Sequence, residues 1–209
     1  MQRIGLTGGI AAGKSVVAER LGTLGAVVID YDVLAREAVA PGTAALDDIV
    51  AAFGAQVLTP EGALDRAALG GIVFADLDAL AQLNAIVHPS VRRLAAEREA
   101  AAATADPGAV VVHDIPLLVE TGQADAFHVL VVVDAPSALR AERLMGMRGL
   151  NREEALGRIA AQIDDAARLA LADVVLDGSG DVAGLQTQVD ALWQRLADER
   201  SAELAAEKP

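Results

Sequence analysis

"GLTGGIAAGKSV", residues 5–16, sets Gly8, Gly13, Lys14 and Ser15 at the spacing G-x-x-x-x-G-K-[ST]. An apolar run, Arg3–Thr7 (RIGLT), precedes it and a helix-forming stretch follows. That strand–turn–helix setting is what a phosphate-binding loop demands. Gly8 and Gly13 are expected to let the backbone turn tightly around a phosphate, so that successive N–H groups point inward at it. The helix that opens near Lys14 adds its positive end. The expected cradle comprises Gly8, Gly9, Ala11, Ala12, Gly13, Lys14, Ser15 and Val16. Lys14 would reach the β- and γ-phosphate oxygens of ATP, and the Ser15 hydroxyl would hold Mg²⁺.

Lys14 stands out for a second reason. The one other lysine is Lys208, and every remaining basic side chain apart from histidine is arginine. A compact ammonium on a flexible stem suits a point-charge role inside the loop, where a rigid planar fork is too bulky. The scarcity of lysine also excludes a guanine-specific switch. Such a protein carries an Asn-Lys-x-Asp segment, and no lysine lies between Lys14 and Lys208. A small-molecule kinase fits better than a switch or a motor. Two alternatives stay open at this point: a kinase for another small alcohol or a nucleoside monophosphate, and a binding protein gated by nucleotide.

Composition agrees with a folded enzyme. The chain has 209 residues, 53% hydrophobic and 22% charged, enough for one compact domain with a sizeable core. No apolar run approaches the ~18 residues of a spanning helix. The start, MQRIGLTGG, lacks the apolar stretch of a signal peptide. Without cysteine there is no disulfide scaffold, thiolate metal site or cysteine nucleophile, and a cytoplasmic setting is expected. A net charge of −13 argues against wrapping nucleic acid. Anionic substrates must then be met by local arginines.

Short apolar runs alternate with longer helical stretches. Ala26–Asp30, Ala109–Asp114, Phe127–Asp134 and Ala172–Asp177 join the first run as strands, near-continuous in the manner of a parallel sheet covered on both faces. The predicted fold is α/β, a phosphate-loop NTPase of the nucleoside-monophosphate-kinase kind, read as a single domain over residues 1–209. A helical substrate excursion covers about residues 32–108, and a lid about 138–171. Helix breaks are expected at Pro41-Gly42, at Thr59-Pro60-Glu61-Gly62 and at His88-Pro89. Asp181–Glu199 reads as a closing amphipathic helix followed by a frayed tail.

At the end of the second strand stands Asp30-Tyr31-Asp32. On an extended segment two carboxylates two residues apart point to the same side. The second strand is expected beside the first, which would bring both to the phosphate loop. One could accept the proton of an attacking hydroxyl while the other orients the acceptor or metal-bound water. Asp30 serves equally well as a helix N-cap for the VLAREAV stretch that follows.

The chain resembles the dephospho-coenzyme A kinase family, and the likeness runs along nearly its whole length. It lies in Leu6–Ile10 with Gly13-Lys14-Ser15, Leu24-Gly25, Val28–Asp32, Pro41-Gly42, Leu83–Pro89, Asp114–Glu120, Arg158–Gln162 and Ala172–Asp177. The D-x-D after the second strand and the P-L-L-x-E after the third discriminate it from adenylate and shikimate kinases. The resemblance implies ATP-dependent phosphorylation of the ribose 3′-hydroxyl of dephospho-CoA, with Mg²⁺, by direct in-line transfer in a monomer or small homo-oligomer. It implies Asp32 as general base with Asp30 as partner, and Arg140 and Arg143 as lid arginines closing over the ATP phosphates. Pro116, Leu117 and Glu120 would line the acceptor pocket.

Four departures from the family pattern stand out. Ala11-Ala12 replaces a common Gly-Ser, and alanine fits there only where neither φ is positive. Met147 stands where a lid arginine is usual, leaving Arg148 one place late as a cofactor contact. Arg168 replaces a lysine, and Gly178 an asparagine.

Other polar residues carry alternatives. His88 is either an acceptor contact or a structural residue at a helix end. Glu120 either positions the acceptor or caps a helix, and His113 and His128 read as hydrogen-bonded core residues. Arg92-Arg93 and residues 97–99 read as a solvated helix face.

Overall fold

The computed structural model describes residues 1–206, with side chains as far as Ser201. Lys208 and the end of the expected frayed tail lie outside the described residues. The chain divides into two compact units: Met1–Val28 with the chain from Asp106 onward, and Ile29–Ala105.

In chain order the first unit contains β1 (Gln2–Gly8), α1 (Lys14–Thr23) and the start of β2 (Val27–Asp30). It resumes with β3 (Val110–Asp114), β4 (Val129–Asp134), α6 (Ser137–Arg148), α7 (Arg152–Ala160), α8 (Asp165–Leu169), β5 (Val174–Asp177) and α9 (Val182–Ala206). The sheet order is β2-β3-β1-β4-β5. β1 runs parallel to β3 and to β4, and β4 parallel to β5. Register places Leu6 opposite Asp114, Gly8 opposite Val133, and Asp134 opposite Asp177.

The expectation that β2 neighbours β1 fails, because β3 lies between them. Burial gives the reason. Every residue of β3 is buried, so it needs a strand on each side and cover on both faces. β2 is mostly exposed or half-buried and suits an edge, as does β5 at the other end. β4 opens at Val129 instead of Phe127, and its ladder is extended by side chain. Arg3 N–H donates to His128 Nδ1 at 2.9 Å, and His128 N–H to Arg3 C=O at 2.9 Å.

The core of this unit centres on Ile4, Leu6, Val131 and Val133, all fully buried, with Val17 and Leu21 of α1 against it. Leu185, Val189, Leu192 and Leu196 recur at spacings of four, three and four, a single stripe of α9 facing the same core. Each such side chain contributes about 1.5–3 kcal/mol by leaving water. Arg20 pins α1 to α9 with a two-pronged pair to Asp190 at 2.7 and 2.8 Å. The closing helix runs on to Ala206, past the expected end at Glu199. Unbroken helix formers after Glu199 give it no stop signal.

The second unit holds α2 (Tyr31–Glu37), α3 (Ala44–Phe53), α4 (Arg66–Val73) and α5 (Leu77–Ala105). Thr43 caps α3 and Asp65 caps α4 through their side-chain oxygens. Chain reversals do fall at Pro41-Gly42 and at residues 59–62, where Gly42 and Gly62 adopt φ of +84° and +80°. His88-Pro89 breaks nothing, for the 29-residue helix α5 runs straight through Pro89. Helix formers on both sides, and packing of α5 against α2, α3 and α4, outweigh the one backbone bond that proline removes. Val91, Ala95 and Ala102 form its buried stripe, while Arg93 and Glu97 pair on the exposed face at 2.7 Å.

Candidate functional site

The glycine loop joins β1 to α1, and its glycines do different work from one another. Gly8 ends the strand: a Cβ there would stand 2.6 Å from the Val133 carbonyl oxygen of β4. Close approach, and not a tight turn, is what excludes a side chain at Gly8. Gly13, at φ +114°, is the left-handed residue from which α1 starts. The first N–H groups of α1, at Lys14 and Ser15, have no partner within the helix and are available to an anion. Ser15 is exposed, Val16 half-buried and Ala12 buried.

Ala11 corrects an expectation. It sits at φ +61°, in the region alanine was expected to avoid. A left-handed alanine costs about 1–2 kcal/mol. The surrounding contacts hold it there. Ala12 N–H closes on Gly9 C=O at 3.0 Å, and Ile10 N–H donates to Gln162 Oε1 at 2.7 Å.

Arg143 of α6 secures the far side of the loop. Its Nη1 donates to the carbonyls of Ala11 at 3.2 Å and Ala12 at 3.4 Å, and its Nη2 to Gly178 at 2.7 Å. In a trans peptide each N–H points opposite its neighbour's C=O, so holding the Ala12 carbonyl outward turns the Gly13 N–H inward. Gly178 explains its own departure from asparagine. A Cβ would lie 2.0 Å from Ala12 O, so the loop backbone leaves no room for a side chain.

Lys14 is largely withdrawn from solvent. Its Nζ forms an ion pair with Asp114 at the end of β3, with side chains 20% and 8% exposed. Arg140 differs from a mobile lid arginine. It is 1% exposed, donates from Nε to Ala135 C=O at 2.9 Å and from Nη2 to Asp165, and lies against Gly9. Its Nη1 lies beside Gly9 of the loop and finds no acceptor among the described residues. Arg148 is exposed at the end of α6, where it complements the helix dipole and makes no recorded contact with the loop.

After β3, Pro116 is half-buried and Leu117 exposed. Ile115 N–H bonds Leu6 C=O at 3.0 Å, which ties the segment to β1. Glu120 caps no helix. Its Oε1 accepts from Ile163 N–H at 3.4 Å and lies 3.6 Å from Arg168 Nη2. His113 is buried in β3 against the ring of Phe127.

In the unit Ile29–Ala105 the two aspartates are not an extended pair. β2 stops at Asp30, whose Oδ1 accepts from the N–H groups of Asp32 at 2.8 Å and Val33 at 3.0 Å. Asp30 is therefore the N-cap of α2, and Asp32 sits in its first turn with an exposed side chain. Capping bends the chain into a helix, so the alternation of a strand does not apply. Tyr31, between them, has its phenol pushed up by burial and by the Glu99 carboxylate. His88 is exposed on α5.

Gln162, Asp165 and Arg168 were given no role by motif reading, although Gln162 and Arg168 lie in or near family-like stretches. Their partners are up to 152 residues away in the chain, which local spacing cannot reveal.

A family model for dephospho-CoA kinase matches residues 2–184. The chain is 53% identical to the dephospho-CoA kinase of Leifsonia xyli over 94% of this chain and 99% of that protein. Among solved structures it is similar to the dephospho-CoA kinase from Campylobacter jejuni, with a TM-score of 0.72 and 26% identity over 94% of this chain and 98% of that one. A shikimate kinase from Acinetobacter baumannii shares the fold at a TM-score of 0.54 and 14% identity, covering 95% and 94% of the two chains.

Proposed function

The chain belongs to the dephospho-CoA kinase family, and from that premise we propose how its own residues carry the phosphoryl group of ATP to the ribose 3′-hydroxyl of dephospho-CoA. The family relationship makes it an ATP-dependent kinase of the last step of coenzyme A synthesis. The observation that carries the assignment of roles is the complete phosphate loop between β1 and α1, with Lys14 at its mouth.

On ATP binding Lys14 exchanges Asp114 for β- and γ-phosphate oxygens, while the N–H groups of Gly13, Lys14 and Ser15 converge on the phosphates. Magnesium fits the donor set: Ser15 offers an exposed hydroxyl, and this ion commonly takes few protein ligands beside phosphate oxygens. Held there it would neutralise charge on the transferring group. Arg143 keeps the loop carbonyls turned away from that charge. Asp32 takes the proton of the ribose hydroxyl and orients it in line with the γ-phosphorus, and Asp30 holds the start of α2 that presents Asp32. Pro116, Leu117 and Glu120 are assigned to the acceptor, and so is His88. Transfer is direct, without a phosphoenzyme. A cytoplasmic location and a monomeric or small homo-oligomeric state complete the proposal.

An acceptor screen tests it. ADP release measured with dephospho-CoA, AMP, shikimate and pantothenate in turn is expected to be fast with dephospho-CoA and at background with the other three. Faster release with any of those three would move the substrate assignment to that alcohol.

A further inference from the structure

Two guanidinium groups of this molecule, Arg140 and Arg168, are 1% exposed, and both pair with one carboxylate, Asp165. Asp165 divides its oxygens between them, Oδ2 to Arg140 Nη2 and Oδ1 to Arg168 Nη1 at 2.7 Å. Arg168 continues through Nη2 to Ile163 C=O at 3.1 Å and lies 3.6 Å from Glu120. Arg140 continues through Nε to Ala135 C=O and fills the space beside Gly9, where a Cβ would stand 2.2 Å from Nη1. That Nη1 finds no acceptor among the described residues. Three residues before α8 the same segment grips the loop directly, Gln162 Oε1 accepting from Ile10 N–H at 2.7 Å.

We propose that Asp165 is a positioning residue for the phosphate loop, acting through Arg140. Arg140 has no other recorded carboxylate partner among the described residues, so Asp165 alone balances its charge. A buried guanidinium that loses its counter-ion must move toward water or draw in another anion. Either movement displaces it from Gly9 and lets the loop shift at the turn that faces the triphosphate. The inference rests on residues 8–15 being the ATP phosphate site.

The test is ATP affinity, by calorimetry with Mg²⁺ and ATP on the intact chain, together with KM and kcat. Asp165→Asn keeps the shape and removes the charge. It is expected to weaken ATP about tenfold, with KM for ATP rising alike and KM for dephospho-CoA within about twofold. Arg140→Met is expected to cost about the same. Because the two act as a unit, the double variant should lose about tenfold and not the hundredfold of independent sites. Asp165→Glu restores the charge and should recover most of the affinity. A residue that only held the fold together would lower Tm and leave ATP affinity and its rescue untouched. Wild-type affinity in both single variants, or losses that multiply, would overturn the proposal. Arg140→Lys keeps the ion pair but not the fork at Ala135 and Gly9. Wild-type affinity there overturns it even if Asp165→Asn fails to fold. A wild-type chain that binds no ATP would remove the phosphate-site reading and this inference together.

Discussion

Lys14→Ala is expected to lower kcat at least ~10²-fold at saturating ATP and dephospho-CoA. In phosphoryl transfer little covalent work falls to the protein, and the rate depends on charge held in place around the equatorial oxygens. Lys14 brings a side-chain cation to the mouth of the loop, where it now pairs with Asp114, while Arg143 donates to loop carbonyls. The variant should remain folded but less stable. Asp114 is 8% exposed, and removing its cationic partner costs about 1–3 kcal/mol. For a chain this size each kcal/mol lowers Tm by roughly 2–4 °C. Circular dichroism therefore belongs beside the kinetics. Turnover within a few-fold of wild type would refute the phosphate-loop assignment.

Asp32→Asn should lower kcat by roughly 10²–10⁴-fold while leaving ATP affinity nearly unchanged. A carboxylate is a weak base for an alcohol in water. In a loose transition state the hydroxyl proton leaves late, so orienting it matters more than basicity. Asparagine keeps the shape and one acceptor oxygen, so a large effect isolates charge and proton affinity. Asp30→Asn is the control that the structure supplies. Asp30 serves as an N-cap with a single oxygen, Oδ1, and asparagine caps about as well as aspartate. Its kcat is expected to stay within a few-fold of wild type. Equal losses in the two variants would reduce the pair to helix capping. The search for the base would then pass to Asp114 or Glu120.

Local chemistry was readable wherever it was contiguous. Gly13, Lys14 and Ser15 sit within one turn, and the strand before them is a run of buried residues, so loop and helix start follow from spacing alone. β3 and β4 announce themselves as unbroken apolar runs. What escaped depends on partners far along the chain. Charged residues read as surface, yet Arg140 and Arg168 are buried because Asp165 and Glu120 arrive with them. Pro89 reads as a break until the packing of α5 on α2, α3 and α4 is seen. Ala11 holds a positive φ because Arg143 and Gln162 tie the residues on either side. Asp32 left the extended geometry when Asp30 turned its side chain back to cap the helix. No spacing rule distinguishes that cap from a catalytic pair.

The most direct measurement follows ADP and the 3′-phosphorylated product together in one time course, with and without dephospho-CoA. Direct transfer from the loop to the ribose hydroxyl predicts one coenzyme A formed per ADP, and ADP at background when the acceptor is left out. ADP produced at the same rate without acceptor, or phosphate found at any position other than the 3′-hydroxyl, would contradict it.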